Sequence, residues 1–130
     1  MNPVDRKYSK DHEWAQAATG NTITIGITHY AQDQLGDIVY LDLPALGDTV
    51  EKTKKLGEVE SVKTVSDIYS PLSGVVVEVN QQLIDHPELV NEDPFGDGWL
   101  LKVASANATK ELESLLTSQE YDALLESEDH

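Results

Sequence analysis

The chain has 130 residues, 39% of them hydrophobic, enough for one core of ordinary size, and 24 acidic against 9 basic residues give a formal charge of -15. That charge repels phosphate backbones and anionic lipid, so no nucleic-acid or membrane partner is expected, whereas basic protein surfaces fit it. The absence of cysteine excludes disulfides, thiolate metal sites and a cysteine nucleophile.

No apolar run is long enough to span a bilayer, and the opening MNPVDRKYSKDHEW has neither a signal core nor an acid-free presequence. A cytoplasmic, bacterial-type chain is therefore expected, or a mitochondrial-matrix one if a transit peptide has been removed. Along the chain, NTITIGIT (21–28) alternates β-branched with small or polar residues and predicts a strand. Thr28 can cap a short helix, HYAQDQL, for which Gly36 is the stop. DIVYLDLP (37–44) alternates again, and Pro44 and Gly47 mark turns. Residues 48–62 predict a short strand, a lysine-rich turn and another strand. YSPLSG turns at Pro71 and Gly74. VVVEVN (75–80) predicts a strand with Val75, Val77 and Val79 on one face and Val76 and Glu78 on the other.

Residues 81–98, with two prolines and two glycines, read as a long functional loop. WLLKV (99–103) closes the strand set. Two helices follow: NATKELESLL, with Leu112, Leu115 and Leu116 on one face, and SQEYDALLE, introduced by the capping box Thr117/Glu120. The acidic end, ESEDH, is expected to fray. Short strands broken by turns, with helices at the C-terminal end, predict a mainly β sandwich or barrel with α additions.

Phosphate-binding glycine loops are absent, as is the i, i+4 histidine pair of a helical metal site. His12, in DHEW, reads as a partly exposed, hydrogen-bonded histidine. No G-x-S-x-G elbow supports a Ser/His/Asp triad. No complete catalytic set is present.

One stretch stands apart. VESVKTVSDIYSPLSG (59–74) is nearly a palindrome about the bond between Lys63 and Thr64: Val62 mirrors Val65, Ser61 mirrors Ser66, Glu60 mirrors Asp67. Two β-prone arms around a type I turn would hold Lys63 out on a rigid tip, with Glu60 facing Asp67 as an unfavourable like-charge pair. Such a lysine either solubilises a hairpin end or is presented to a modifying enzyme.

The same residues carry a resemblance. KYSKDHEW, TIGITHYAQDQLGDIVYLDLP, GEVESVKTVSDIYSPLSG, VVVEVN, PELVNEDPFGDGWLLKV and EYDALLE, in this order over nearly the whole chain, resemble the H proteins of the glycine cleavage system. The resemblance implies a barrel-sandwich hybrid, similar to lipoyl and biotinyl carriers, in a single domain spanning 1–130 with a helical extension at about 107–126. It implies lipoate amide-linked to Lys63, with Glu60, Ser61, Val62 and Asp67 as the hairpin read by lipoylating enzymes. Biotin carriers flank their lysine with methionines, which are missing here. Thr64 stands where many H proteins have alanine.

The function implied is that of a non-catalytic carrier. Its lipoyl arm would take an aminomethyl group from glycine decarboxylase to a tetrahydrofolate-dependent aminomethyltransferase, and dihydrolipoyl dehydrogenase would reoxidise it. A lipoyl relay supplying other complexes, or serving a redox pathway, is the alternative. The chain is expected to act as a monomer. Glu13, Leu35 and Asp67 are expected to shelter the cationic cargo in a cleft beside the hairpin.

Overall fold

A computed structural model describes residues 2–128. Nine strands, β1 (Lys7–Tyr8), β2 (Glu13–Ala17), β3 (Thr22–Ile27), β4 (Ile38–Asp42), β5 (Thr49–Val50), β6 (Lys55–Ser61), β7 (Val65–Tyr69), β8 (Gly74–Val79) and β9 (Leu101–Ala104), form two sheets. The larger runs β1-β2-β3-β9-β8-β5 and the smaller β4-β6-β7. Helices are short: α1 (His29–Leu35), α2 (Gln82–Asp85), α3 (Leu89–Glu92), α4 (Ala108–Glu113) and α5 (Ser118–Glu128). The fold is the expected one, mainly β with α additions, of which α4 and α5 follow the last strand at the C-terminal end. No helix among the described residues is long and apolar enough to cross a membrane.

The main core lies between the sheets. In β3 the alternation puts Ile23, Ile25 and Ile27 inward, where they meet Val103 of β9, Ile38 of β4, Val59 of β6 and Ile68 of β7. Each such side chain contributes about 1.5–3 kcal/mol by leaving water. The outer face of β2 is also covered. Trp14 lies over Gly26, where any Cβ would enter the indole, and its Nε1 donates to the Pro94 carbonyl at 3.0 Å. Tyr8, Trp14 and Tyr121 form a second buried cluster, against which Phe95, Trp99, Leu116, Leu124 and Leu125 pack.

The helix caps follow the sequence. Thr28 Oγ1 accepts from the Ala31 N–H at the start of α1, and Gly36 ends that helix at φ +82°. The Thr117 and Glu120 side chains cap each other's backbone N–H before α5.

Four expectations change. A bulge between Val76 and Glu78 in the β8–β9 ladder re-phases β8, so Val76 and Val79 turn to the core while Val75 and Val77 are exposed. Helix α4 stops at Glu113, so the three leucines do not share one helical face. Leu112 and Leu115 pack on the main core, whereas Leu116 joins the aromatic cluster and bridges to Tyr8. Residues 81–98 contain α2 and α3, tied down by Asn80, Trp14 and Asp93. Helix α5 continues through Glu128, past the start of the expected frayed end; Asp129 and His130 lie outside the described residues.

Tyr121 fixes α5 to the sheets. Its ring stacks on Tyr8 at 4.8 Å, and its hydroxyl lies 2.7 Å from both His12 Nδ1 and Thr28 Oγ1. Tyr121→Ala should therefore lower stability by about 3–5 kcal/mol. Tyr121→Phe, which keeps the stack but strands two polar partners, should cost about 1–3 kcal/mol. Urea unfolding checks both; two variants at the parent's midpoint would show that α5 adds nothing to the fold.

Candidate functional site

The lysine turn comes first. β6 and β7 pair with Glu60 opposite Val65, Val59 opposite Ser66 and Glu58 opposite Asp67. The sequence mirror is therefore displaced: Asp67 faces Glu58, and Glu60 does not face it. The reason is Ser61. Its N–H donates to the Thr64 carbonyl at 2.8 Å, and its hydroxyl accepts from the N–H groups of Lys63 and Thr64 at 3.3 and 3.2 Å. The side chain thus closes a turn over Ser61, Val62, Lys63 and Thr64. Ser61 is buried, so it shapes the tip from within, while Glu60, Val62, Lys63 and Thr64 are exposed. The like-charge pair of Glu58 and Asp67 is relieved by Lys55 Nζ, 2.7 Å from Glu58 and 3.3 Å from Asp67.

The turn rests on the junction of α1 and β4. The Val62 N–H donates to the Asp37 carbonyl at 3.0 Å. Gly36 lies under the lysine stem, and a Cβ there would sit 3.3 Å from Lys63 Cε. Asn91, on α3, accepts from the Ile38 N–H and donates to the Gly36 carbonyl and the Gln32 side chain.

Beside the hairpin is a cleft of about 180 Å³. Its walls come from β2, α1 and β7, and it brings together Glu13, Leu35 and Asp67 with Ala31, Val59 and Ile68. Ile27, Ala31, Leu35, Val59 and Ile68 make an apolar floor, and Asp11, His12, Gln34, Ser66 and Asp67 add polar groups around it. Asp67 is nearly half exposed and rims the cleft. Glu13 is only 3% exposed. Its carboxylate accepts from Ser9 Oγ at 2.6 Å. Burial pushes its pKa from 4.5 up to about 8, against the opposing pull of the Ser9 hydroxyl and the Tyr69 N–H. At pH 7 Glu13 is therefore mostly protonated. From the sequence Glu13 is expected to shelter a cation; its surroundings make it a neutral acid at pH 7.

His12 has the expected character, but its partners are not its carboxylate neighbours in sequence. It stands in the left-handed region, φ +69°, between the Tyr121 hydroxyl and Glu128 on α5. Among the described residues, no three His, Cys, Asp or Glu side chains are placed to hold a metal ion.

A family model described as Glycine cleavage H-protein matches residues 6–128. The chain belongs to the glycine cleavage H-protein family. It is 54% identical to a probable glycine cleavage system H protein of Natronomonas pharaonis, over 93% of this chain and 94% of the relative. Identity to the glycine cleavage system H protein of Carboxydothermus hydrogenoformans is 52%, over 97% and 95%. The crystal structure of such a protein from Mycobacterium marinum superposes with a TM-score of 0.85 at 43% identity, covering 94% of this chain and 97% of that one. The two sheets with their C-terminal helices are thus a lipoyl-domain-like fold. As a family member the chain is a lipoyl carrier of the glycine cleavage system, and is not itself a catalyst.

Glycine cleavage H proteins are carriers, so the electrostatics of the cleft bear on what it can hold. In this chain the folded state keeps a proton on Glu13 up to about pH 8, whereas the unfolded chain releases it near 4.5. Across that window folding takes up a proton, so the Glu13 contribution to stability falls as pH rises through it. Glu13→Gln keeps the shape and cannot ionise. Unfolding free energies of parent and variant should diverge between those two pH values, in favour of glutamine at the upper end. Parallel curves throughout would mean that Glu13 is already ionised when folded.

Proposed function

We propose that the lipoyl group is carried as an amide on Nζ of Lys63, and that Glu13, Leu35 and Asp67 shelter its cargo. The observation that carries this reading is the pairing of an exposed lysine on a pinned turn with an apolar-floored cleft beside it. An aliphatic arm fits the apolar floor formed by Leu35, Ala31, Val59 and Ile68. When bound, the dithiolane supplies the sulfurs that take up and release the aminomethyl group and return to the disulfide.

The chain's own residues do the rest. Ser61 and Asp37 hold the backbone of the attachment point still. Glu60 and Val62 present the exposed flank that a lipoylating enzyme reads, and Asp67 marks its cleft side. Acylation removes the Lys63 charge and leaves an acidic carrier one unit more negative, suited to brief contacts with basic entrances on glycine decarboxylase, the aminomethyltransferase and dihydrolipoyl dehydrogenase. Tethering replaces free diffusion by a high local concentration at each active site. The chain carries no thiol of its own to form a mixed disulfide.

Lys63→Arg keeps the charge and removes the acceptor. It should fold as the parent does and take up no lipoate, although Lys52, Lys54 and Lys55 remain as exposed or half-exposed amines. Lipoate on that variant would overturn the assignment.

Sheltering has its own test. Asp67, exposed at the rim, meets a cationic amine first. A charge-assisted hydrogen bond there should prolong the loaded state roughly tenfold or more. Without aminomethyltransferase, Asp67→Asn should shorten that lifetime at neutral pH. Glu13→Gln should matter less at pH 7, since glutamine resembles the protonated acid, and more as pH passes about 8. Parent lifetimes for both variants across this range would return the two residues to the surface and the core.

A further inference from the structure

The segment PELVNEDP holds an asparagine that the carrier reading does not use. Asn91 sits on α3, remote in sequence from both the lysine hairpin and the cleft. Its side chain makes three hydrogen bonds: it accepts from the Ile38 N–H at 2.9 Å and donates to the Gly36 carbonyl at 2.8 Å and to Gln32 Oε1 at 3.0 Å. Two of these partners are backbone groups on either side of Asp37. Asp37 is the residue whose carbonyl receives the Val62 N–H, and Gly36 is the residue under the lysine stem.

We propose that Asn91 is a positioning residue for Lys63. It clamps Gly36 and Ile38, which holds the Asp37 carbonyl where the Val62 N–H can reach it, and so sets the posture of the turn that presents the lysine. This rests on reading Lys63 as the lipoyl lysine. The position needs a donor and an acceptor on one short rigid group. Aspartate offers only acceptors when ionised, alanine offers neither, and glutamine is one carbon too long. Apart from Asn91 the junction is held by the Gly36 N–H on the Gln32 carbonyl at 3.0 Å and by the pairing of Ile38 with Ser61, while Gly36 itself, at φ +82°, is in a conformation that glycine adopts freely and does not enforce. An enzyme that must acylate one amine is sensitive to such support, since a displacement of about 1 Å at an attacking group can cost about a hundredfold in rate.

Asn80 serves as the control. It is buried where Asn91 is half-buried, and its side chain also makes three hydrogen bonds, to the Asp97 and Trp99 carbonyls and from the Gln82 N–H, none of them to residues 36–38. The experiment uses the full chain as parent, Asn91→Ala, Asn91→Asp and Asn80→Ala, well below their melting temperatures. It has two readouts: amide exchange of the Val62 N–H by NMR, and kcat/KM for lipoylation by a lipoate–protein ligase with lipoate and ATP. In Asn91→Ala the Val62 amide should exchange roughly five- to tenfold faster, and kcat/KM should fall roughly tenfold. Asn91→Asp, nearly isosteric and still able to accept from Ile38, should move both in the same direction by less. Should the alanine variant fail to fold, the aspartate carries the comparison. Asn80→Ala should leave both at parent values even where it lowers Tm as much.

Parent values of kcat/KM in the Asn91 variants, or an equal fall in Asn80→Ala, would overturn the proposal. A parent that takes no lipoate would count against the Lys63 reading instead. The Val62 exchange comparison would then decide the Asn91 clamp by itself.

Discussion

The hydrogen bond from the Val62 N–H to the Asp37 carbonyl joins the lysine hairpin to the rest of the protein at its tip. Elsewhere the hairpin is held by ladder bonds between β6 and β7 and between β6 and β4. Those fix it as far as Ser61, which pairs with Ile38; they do not extend to Val62 and Lys63. On the proposed reading Lys63 is the root of a carrier arm, and an arm multiplies any displacement at its root. Ser61 closes the turn from inside, Asp37 pins it from below, and Gly36 leaves room for the lysine stem to lie close to the junction. These contacts lower the conformational entropy of the tip before any partner has to order it.

The second constraint is dielectric. Most of the 24 acidic side chains are solvated and keep the carrier soluble and repelled from its own copies. Among the described residues Glu13 on β2 is the buried exception, set in the wall of the cleft. Burial leaves it protonated at neutral pH, so the cleft has two exposed carboxyl groups, Asp11 and Asp67, at its rim and one neutral acid in its depth. A cation entering such a site would first meet the rim pair Asp11 and Asp67, and by its own charge would favour ionisation of Glu13. The cleft can thus respond to a cationic occupant with little charge stored inside when it is vacant.

Much of this was legible in the sequence. The isoleucines of β3, the Thr28 cap, the Gly36 stop and the box of Thr117 and Glu120 are local signals, and local physics placed them. Lys63 was singled out by its setting, but the lipoyl role proposed for it rests on resemblance, because a lysine on a turn looks alike whether or not it is modified. The palindrome misplaced the hairpin register. Mirrored residue identity says nothing about turn length, and the Ser61 hydroxyl, standing in for a backbone acceptor, moved the centre by one residue. The bulge in β8 was hidden for a similar reason, since consecutive valines suit either phase. The short strand β1 and β2 itself, which carries Glu13 and Trp14, lacked clean alternation because both faces of β2 are covered. Asn91 gave no sign of its role, because its partners lie 53, 55 and 59 residues away in a chain where asparagine near proline ordinarily means a turn.

The account stands on one attachment point, held rigid and unique among the lysines. It is tested most directly by growing the parent in a lipoate-replete host, measuring the intact mass and mapping the modified peptide. A single lipoyl addition, located on Lys63, is the result the account predicts. An unmodified chain from that host, or lipoate on Lys52, Lys54 or Lys55, would contradict it.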